Sequence, residues 1–282
     1  MPTHAANADL PGRPPVLHLL ARPKILAFAC IAVLAAAGWI YLGLILAGQS
    51  TAGGIFQVLC QPLYGTAGAS SVAGAALTFA MWCAMALAMM LPTAGPMIMT
   101  YADIAEAAAA KGEPAASPLA LTAGYAMVWL AAALALAALQ GLLARLAALD
   151  DTMSLASPLL SGALFVAAGL YQFSAMKRAC LTQCQHPFTF FFANWTPEPR
   201  GVFRLGVRQG LYCLGCCWAM MLLMFAVGVM SVVWMALLGT VMAIEKVNAT
   251  MRFSRVIGAV FLAIGMAIVT ASVIAHWPAK IG

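Results

Sequence analysis

Five of the eight cysteines fall into two short groups whose spacing is typical of metal–thiolate chemistry. The string CLTQCQHP carries Cys180 and Cys184, and YCLGCCW carries Cys213, Cys216 and Cys217. Residues three or four apart share one face of a helix, so each group directs at least two thiols the same way. The two groups flank one basic segment, and we expect them to meet at a similar depth.

Two pairs of thiols at one depth suit a tetrahedral metal site. Zn²⁺ takes such ligands in structural sites, soft thiolates also select Cu(I), and iron–sulfur clusters use four cysteines. The spacing alone does not separate these metals, and we expect Cu(I) first and Zn²⁺ second. His186, two residues after Cys184, is either a further ligand or a loop histidine at the interface.

The same cysteines allow two other interpretations. Free cysteine is among the most buried residue types, so the thiols could be small apolar packing groups. Cys213 and Cys216 also have the C-x2-C spacing of redox dithiols. A permanent disulfide is disfavoured if the group faces the reducing cytoplasm.

Eighteen methionines add a second kind of soft sulfur. Met81, Met85 and Met89 recur every four residues, on one face of a predicted helix. Thioethers select Cu(I), so this stripe could lead copper toward the thiols, although methionine is also a flexible filler of apolar cores. Pro92 and Pro96 are expected to interrupt the helix and free backbone carbonyls. A second methionine group follows the cysteines: Met220, Met221 and Met224.

The elements that carry these residues are predicted to be membrane helices. The 282-residue chain is 64% apolar and only 8% charged, whereas soluble domains have about 25% charged residues. A lipid-facing surface needs no charges, so the composition predicts an all-α, polytopic transmembrane helix bundle. The net charge of +6 indicates loop topology and contact with anionic headgroups, and not nucleic-acid binding.

A bilayer core of about 30 Å takes about 20 helical residues, which predicts about seven spans in one domain, residues 24–282. Residues 1–23 are predicted to be a disordered cytoplasmic tail and not a cleaved signal. Residues 209–244 are ambiguous, because one helix of about 54 Å would give six spans, whereas Gly228 offers a turn that gives seven. The predicted spans are Lys24–Ala47, Val72–Met99, Pro118–Leu142, Pro158–Met176, Gln209–Gly228, Val229–Ile244 and Arg255–Ala275.

Basic residues favour seven spans with the N-terminus in the cytoplasm. In that arrangement twelve lysines and arginines lie in inside segments, and only Arg145 and Lys280 lie outside. This split fits the positive-inside rule and predicts a multi-pass protein of the bacterial inner membrane. The bilayer is then one partner, and a metalloprotein or a membrane complex is a second.

Few polar residues accompany the predicted spans. Glu245 and Lys246, at the inside end of span six, either mark a site or anchor the helix at the interface. Gln172 must find a hydrogen-bond partner inside the bundle. Phosphate loops, dinucleotide fingerprints and hydrolase motifs are missing from the sequence, so an enzyme is not favoured.

Four strings together resemble a known family. They are MWCAMALAMMLPTAGPM, GYAMVW, GLYQFSAMKRACLTQCQHP and RLGVRQGLYCLGCCWAMMLLMFAVGVMSVVWMALL, the last leading to IEK, across about residues 72–248. They are similar to a bacterial family of unknown function described as predicted metal-binding integral membrane proteins. In that family a basic residue usually follows the second cysteine, whereas here Gln185 and His186 follow. The resemblance implies metal binding in a membrane.

These observations predict an integral membrane protein that binds a thiophilic ion near its cytoplasmic face and handles or delivers copper, or else zinc. Two alternatives stay open. One is a membrane thiol–disulfide oxidoreductase that uses Cys213 and Cys216. The other is a structural or assembly subunit of a membrane metalloprotein complex.

Overall fold

The computed structural model describes residues 32–33, 36–37, 39–40, 72–146, 148–149, 154–229, 232–247 and 251–276. The predicted tail and most of the first predicted span lie outside these residues. From position 72 onward the described residues form nine helices: α1 Val72–Ala110, α2 Pro118–Arg145, α3 Pro158–Gln172, α4 Ala175–Gln185, α5 Pro187–Ala193, α6 Pro199–Leu222, α7 Met224–Val227, α8 Val232–Val247 and α9 Met251–His276.

Two serine–proline steps start helices α2 and α3. The hydroxyls of Ser117 and Ser157 accept hydrogen bonds from backbone N–H groups two and three residues on, at 3.2 and 3.4 Å. Proline occupies the first helical position in both helices, where its missing N–H would have had no helical partner. The predicted starts at Pro118 and Pro158 are confirmed.

Helix α1 is longer and more continuous than predicted. It runs for 39 residues, about 58 Å, and passes the predicted end at Met99. It also continues through Pro92 and Pro96, so the predicted interruption is wrong. Pro92 has no N–H to bond the Ala88 carbonyl one turn earlier, and the Trp39 indole donates to that oxygen instead, at 3.0 Å.

The basic segment between the two cysteine groups is largely helical, although it has no long apolar run. Helix α3 ends at Gln172, short of the predicted Met176, and α4 follows after a bend of 63°. Ser174 caps α4 by accepting a hydrogen bond from a backbone N–H at 3.0 Å. Helix α6 begins ten residues before the predicted Gln209. Both cysteine groups therefore stand on helices.

Residues 209–244 form two main helices and not one. Helix α6 ends at Leu222, the single turn α7 follows, and Gly228 then adopts a φ of +95°. Glycine is favoured at such a φ because it has no Cβ. The predicted turn at Gly228 is confirmed.

Four described helices are long and apolar enough to cross a membrane: Val72–Ala110, Pro118–Arg145, Pro199–Val227 and Met251–Ala275. Helices α3 and α4, taken as one bent span, make a fifth. The described residues are thus helical, with four helices, or five with the bent pair, that could span a membrane. Helix α8 has only 16 residues, so the count of seven spans stays a prediction.

Two helix pairs make the most extensive contacts among the described helices, α2 with α6 and α3 with α9. Glycines permit this closeness, since a Cβ on Gly206 would collide with the α2 backbone and one on Gly265 would lie 2.8 Å from the Gly162 carbonyl oxygen. Such close packing holds helices together in lipid. Gln172 finds its expected partner between α3 and α9, where its side-chain oxygen accepts from the Ser254 hydroxyl at 3.1 Å.

Candidate metal centre

Three of the five clustered cysteines lie on the inner face of α6. Cys213, Cys216 and Cys217 are only 3, 3 and 1% exposed, because their helical spacing turns them toward the same side. The thiols of Cys216 and Cys217 donate to the Cys213 carbonyl oxygen at 3.0 and 2.9 Å. The second cysteine group is therefore gathered within the core.

The first cysteine group approaches from α4. The half-buried Cys184 thiol lies beside the Cys216 thiol, so the two groups meet. Cys180, one turn earlier, places its sulfur over the backbone of Gly215, where an added Cβ would lie 2.6 Å from that sulfur. Helix α4 comes this close to α6 because position 215 has no side chain.

A lysine and a tyrosine reach the Cys213 sulfur. The Lys246 ammonium of α8 donates to this sulfur at 3.0 Å and to the Thr93 hydroxyl of α1 at 2.6 Å. The Tyr125 hydroxyl of α2 lies 3.1 Å from the same sulfur and donates to the Met90 carbonyl oxygen at 3.2 Å. Helices α1, α2, α6 and α8 therefore meet around one thiol.

Met90 brings a thioether to this group. Its Sδ lies 4.0 Å from the Cys217 sulfur and 3.9 Å from the Lys246 ammonium. The predicted stripe on the same helix is also buried, and it comprises Met81, Met85 and Met89. Met89, the neighbour of Met90 in sequence, faces α8, where a Cβ added to Gly239 would lie 3.5 Å from the Met89 side chain.

Two contacts set the register between α1 and the helices α6 and α7. The first contact joins Cys217 and Met90. The second joins Trp82, eight residues before Met90, and Phe225, eight residues after Cys217, with ring centroids 5.5 Å apart. The two segments therefore run antiparallel, with the methionine stripe of α1 at the depth of a second buried group. That group is Met220, Met221 and Met224.

A buried ion pair lies next to the lysine that contacts Cys213. Lys177 of α4 and Glu245 of α8 are 1 and 3% exposed and are joined at 2.7 Å. The Gln185 side chain donates to the Glu245 backbone oxygen at 2.8 Å. Glu245 and Lys246 thus both reach inward to neighbouring helices, which is not the interfacial anchoring considered from the sequence.

His186 is exposed at the corner where α4 gives way to α5. Its backbone carbonyl accepts a hydrogen bond from the Phe190 N–H at 3.3 Å. The three thiols on α6 are buried, so the imidazole would have to turn inward to join them as the predicted extra ligand.

Within the described part of the chain, no three His, Cys, Asp or Glu side chains are arranged so that they could hold a metal ion as they stand. The contacts give the reason. Two thiols of α6 point back to a carbonyl of their own helix, and the third sulfur faces an ammonium. The six cysteines among the described residues are all free thiols, so rotation of these side chains is what a shared metal would require.

Comparison with known proteins identifies the family. The profile of the PpoB2 family, described as a copper chaperone, matches residues 79–268. That range is 190 of the 282 residues. The chain belongs to the PpoB2 family. Searches against curated proteins and against solved structures gave no match.

The PpoB2 match contains every residue of the cysteine group and its neighbours, including four that sequence reasoning missed as site residues: Met90, Thr93, Tyr125 and Lys177. Tyr125 lies in GYAMVW, one of the strings that carry the family resemblance. Met90 lies two residues before Pro92. The GYAMVW string and the nearby proline could have drawn attention to Tyr125 and Met90. Neither feature predicts that these residues contact cysteines far along the chain.

Proposed function

We propose that this PpoB2 protein is a membrane copper chaperone that binds Cu(I) through thiolates and delivers it to a metalloprotein or membrane complex. The observation that carries the proposal is the meeting of Cys184 with Cys213, Cys216 and Cys217, inside the range matched by a copper chaperone family. Cys180, beside this group, is a fifth candidate. The finer setting is the bacterial inner membrane, with seven spans, a cytoplasmic N-terminus and the thiols near the cytoplasmic face.

Ligand chemistry favours copper over zinc at this place. Thiolates bind both ions, but a thioether is a soft ligand that suits Cu(I). The Met90 sulfur, 4.0 Å from the Cys217 sulfur, supplies such a ligand beside the thiols. A structural Zn²⁺ site is instead filled by cysteine, histidine or carboxylate ligands in a tetrahedron and makes no use of a thioether.

The test is metal analysis of the detergent-purified protein from cells grown with ample copper and zinc. We expect about one copper per chain in the wild type, because the clustered cysteines form one group that could bind one ion. A variant with Cys184, Cys213, Cys216 and Cys217 replaced by serine should contain none. Cys83→Ser is the matched control, since Cys83 is a half-buried thiol on α1 and should leave the copper content unchanged.

Other results would contradict the proposal in distinguishable ways. Zinc in place of copper would indicate a structural site and the assembly-subunit alternative. A metal-free protein whose Cys213 and Cys216 cycle between thiol and disulfide, as measured by alkylation and mass spectrometry, would indicate the oxidoreductase alternative. Equal copper in the wild type and the fourfold variant would place the metal elsewhere.

A further inference from the structure

The Lys246 ammonium lies in a place built from soft and polar atoms. Its three protons face the Cys213 sulfur at 3.0 Å, the Met90 sulfur at 3.9 Å and the Thr93 hydroxyl at 2.6 Å. The Cys217 sulfur lies 4.0 Å from the Met90 sulfur. Two sulfurs with a third close by are a poor environment for an ammonium, which hydrogen-bonds best to oxygen, but they are good ligands for Cu(I).

We propose that the Lys246 ammonium holds the position that Cu(I) takes, so that metal and lysine exchange with each other. In this exchange Cu(I) displaces the ammonium and is bound by the sulfurs of Cys213 and Met90, and the returning lysine helps to release the metal. The inference rests on the proposed copper function and adds Met90 as a ligand and Lys246 as a competing cation.

Charge balance favours an exchange of this kind. The exchange balances when Cys213 is the thiolate partner of the ammonium: the ammonium and Cu(I) each carry one positive charge, no proton leaves the sulfur, and the net charge beside Cys213 is unchanged. An uncompensated charge among apolar helices is costly. Direct replacement avoids a state in which this sulfur carries a charge without any cation beside it.

The lysine can leave by movement of its own flexible side chain. The Lys246 side chain is half-buried, with only its ammonium end among the sulfurs, and a lysine stem can swing its charged end toward water. The preceding Glu245 is held by Lys177 of α4 at 2.7 Å, which keeps this end of α8 in place. The exchange therefore needs movement of side chains and not of a helix.

The first experiment measures Cu(I) affinity and release by competition with a colorimetric Cu(I) chelator under reducing conditions. Lys246→Leu removes the competing cation, so we expect affinity to rise at least about tenfold and transfer to the chelator to slow by a similar factor. Lys246→Arg retains a cation and should stay near the wild-type values. Lys111→Leu, at an exposed lysine beyond α1, is the control for a lost surface charge.

A second pair of variants tests the thioether without touching the lysine. Met90→Leu should weaken Cu(I) binding at least about tenfold, because the thioether sulfur that would bind the ion is lost. Met97→Leu alters another buried methionine of α1, outside the methionine stripe and the cysteine group, and should leave binding unchanged. Leucine is close to methionine in volume, so both variants are expected to fold.

The outcomes separate the two proposals. Wild-type protein without Cu(I) would overturn the copper function and this inference with it. Cu(I) bound by the wild type, but with equal or weaker affinity in Lys246→Leu, would overturn the exchange alone. If Lys246→Leu fails to fold, equal binding by the Met90→Leu and Met97→Leu variants would overturn the inference.

Discussion

The α3/α9 pair and the cysteine region are built from different side chains. Between α3 and α9 the contacts are mainly glycines and apolar groups, and a Cβ on Gly169 would lie 3.0 Å from the Gly258 carbonyl oxygen. Around the cysteines, two lysines and a glutamate lie among the apolar helices. Close packing holds helices together without charges, and buried charges are costly. The comparison indicates that the first region serves cohesion and the second serves chemistry.

The largest expected effect comes from breaking the ion pair of the cysteine region. Glu245→Leu would leave Lys177 buried without its partner, which should lower the free energy of unfolding by about 3 to 5 kcal/mol. The double variant Glu245→Leu with Lys177→Met should recover most of that loss, since both charges are gone. Denaturant unfolding in detergent measures both, and a double variant as unstable as the single one would contradict the assigned pairing.

The next effect tests whether the α3/α9 contact is purely structural. A Cβ at Gly265 would lie 2.7 Å from the Val166 backbone nitrogen, so Gly265→Ala should lower stability by about 1 to 3 kcal/mol. Copper per folded chain should not change. Gly141→Ala, where nothing lies within 4 Å of the added Cβ, is the control. Loss of copper from folded Gly265→Ala protein would erase the distinction between the two regions.

The smallest expected effect tests which cysteines of α4 belong to the copper-binding group. The Cys180 sulfur packs over Gly215, whereas the Cys184 thiol meets that of Cys216. Cys180→Ser should therefore change Cu(I) affinity by less than about threefold, and Cys184→Ser should weaken it by more than about tenfold. Chelator competition measures both variants, and a larger loss with Cys180→Ser would show that α4 turns when metal binds.

Local signals made part of the fold predictable. The serine–proline steps before α2 and α3 and the glycine at 228 act on their own neighbours, so they could be read directly from the sequence. Helices α4 and α5 were missed because their segment is basic and has no long apolar run. The interruption expected at Pro92 did not occur, because the Trp39 indole satisfies the carbonyl that the proline leaves unbonded.

The site was predictable only where chemistry and spacing coincide. Cysteine spacing indicated which thiols share a face, but the Tyr125 contact with Cys213 spans 88 positions and the Met90 contact with Cys217 spans 127. Contacts at such separations depend on how the helices pack, which one sequence does not encode in any local pattern. The four-residue spacing of the methionines predicted that they lie on one face of a helix. It did not predict which helix packs against each of them.

The hydrogen bond between Trp39 and the Ala88 carbonyl has a consequence for the order of assembly during synthesis. The indole leaves the ribosome first, and its acceptor becomes available only because Pro92, 53 positions later, withholds an N–H. At about 5 to 20 residues per second, that delay is about 3 to 11 s. The Trp39 indole therefore has no such acceptor until then, and Pro92→Ala would leave it competing with an ordinary helical N–H for the same oxygen.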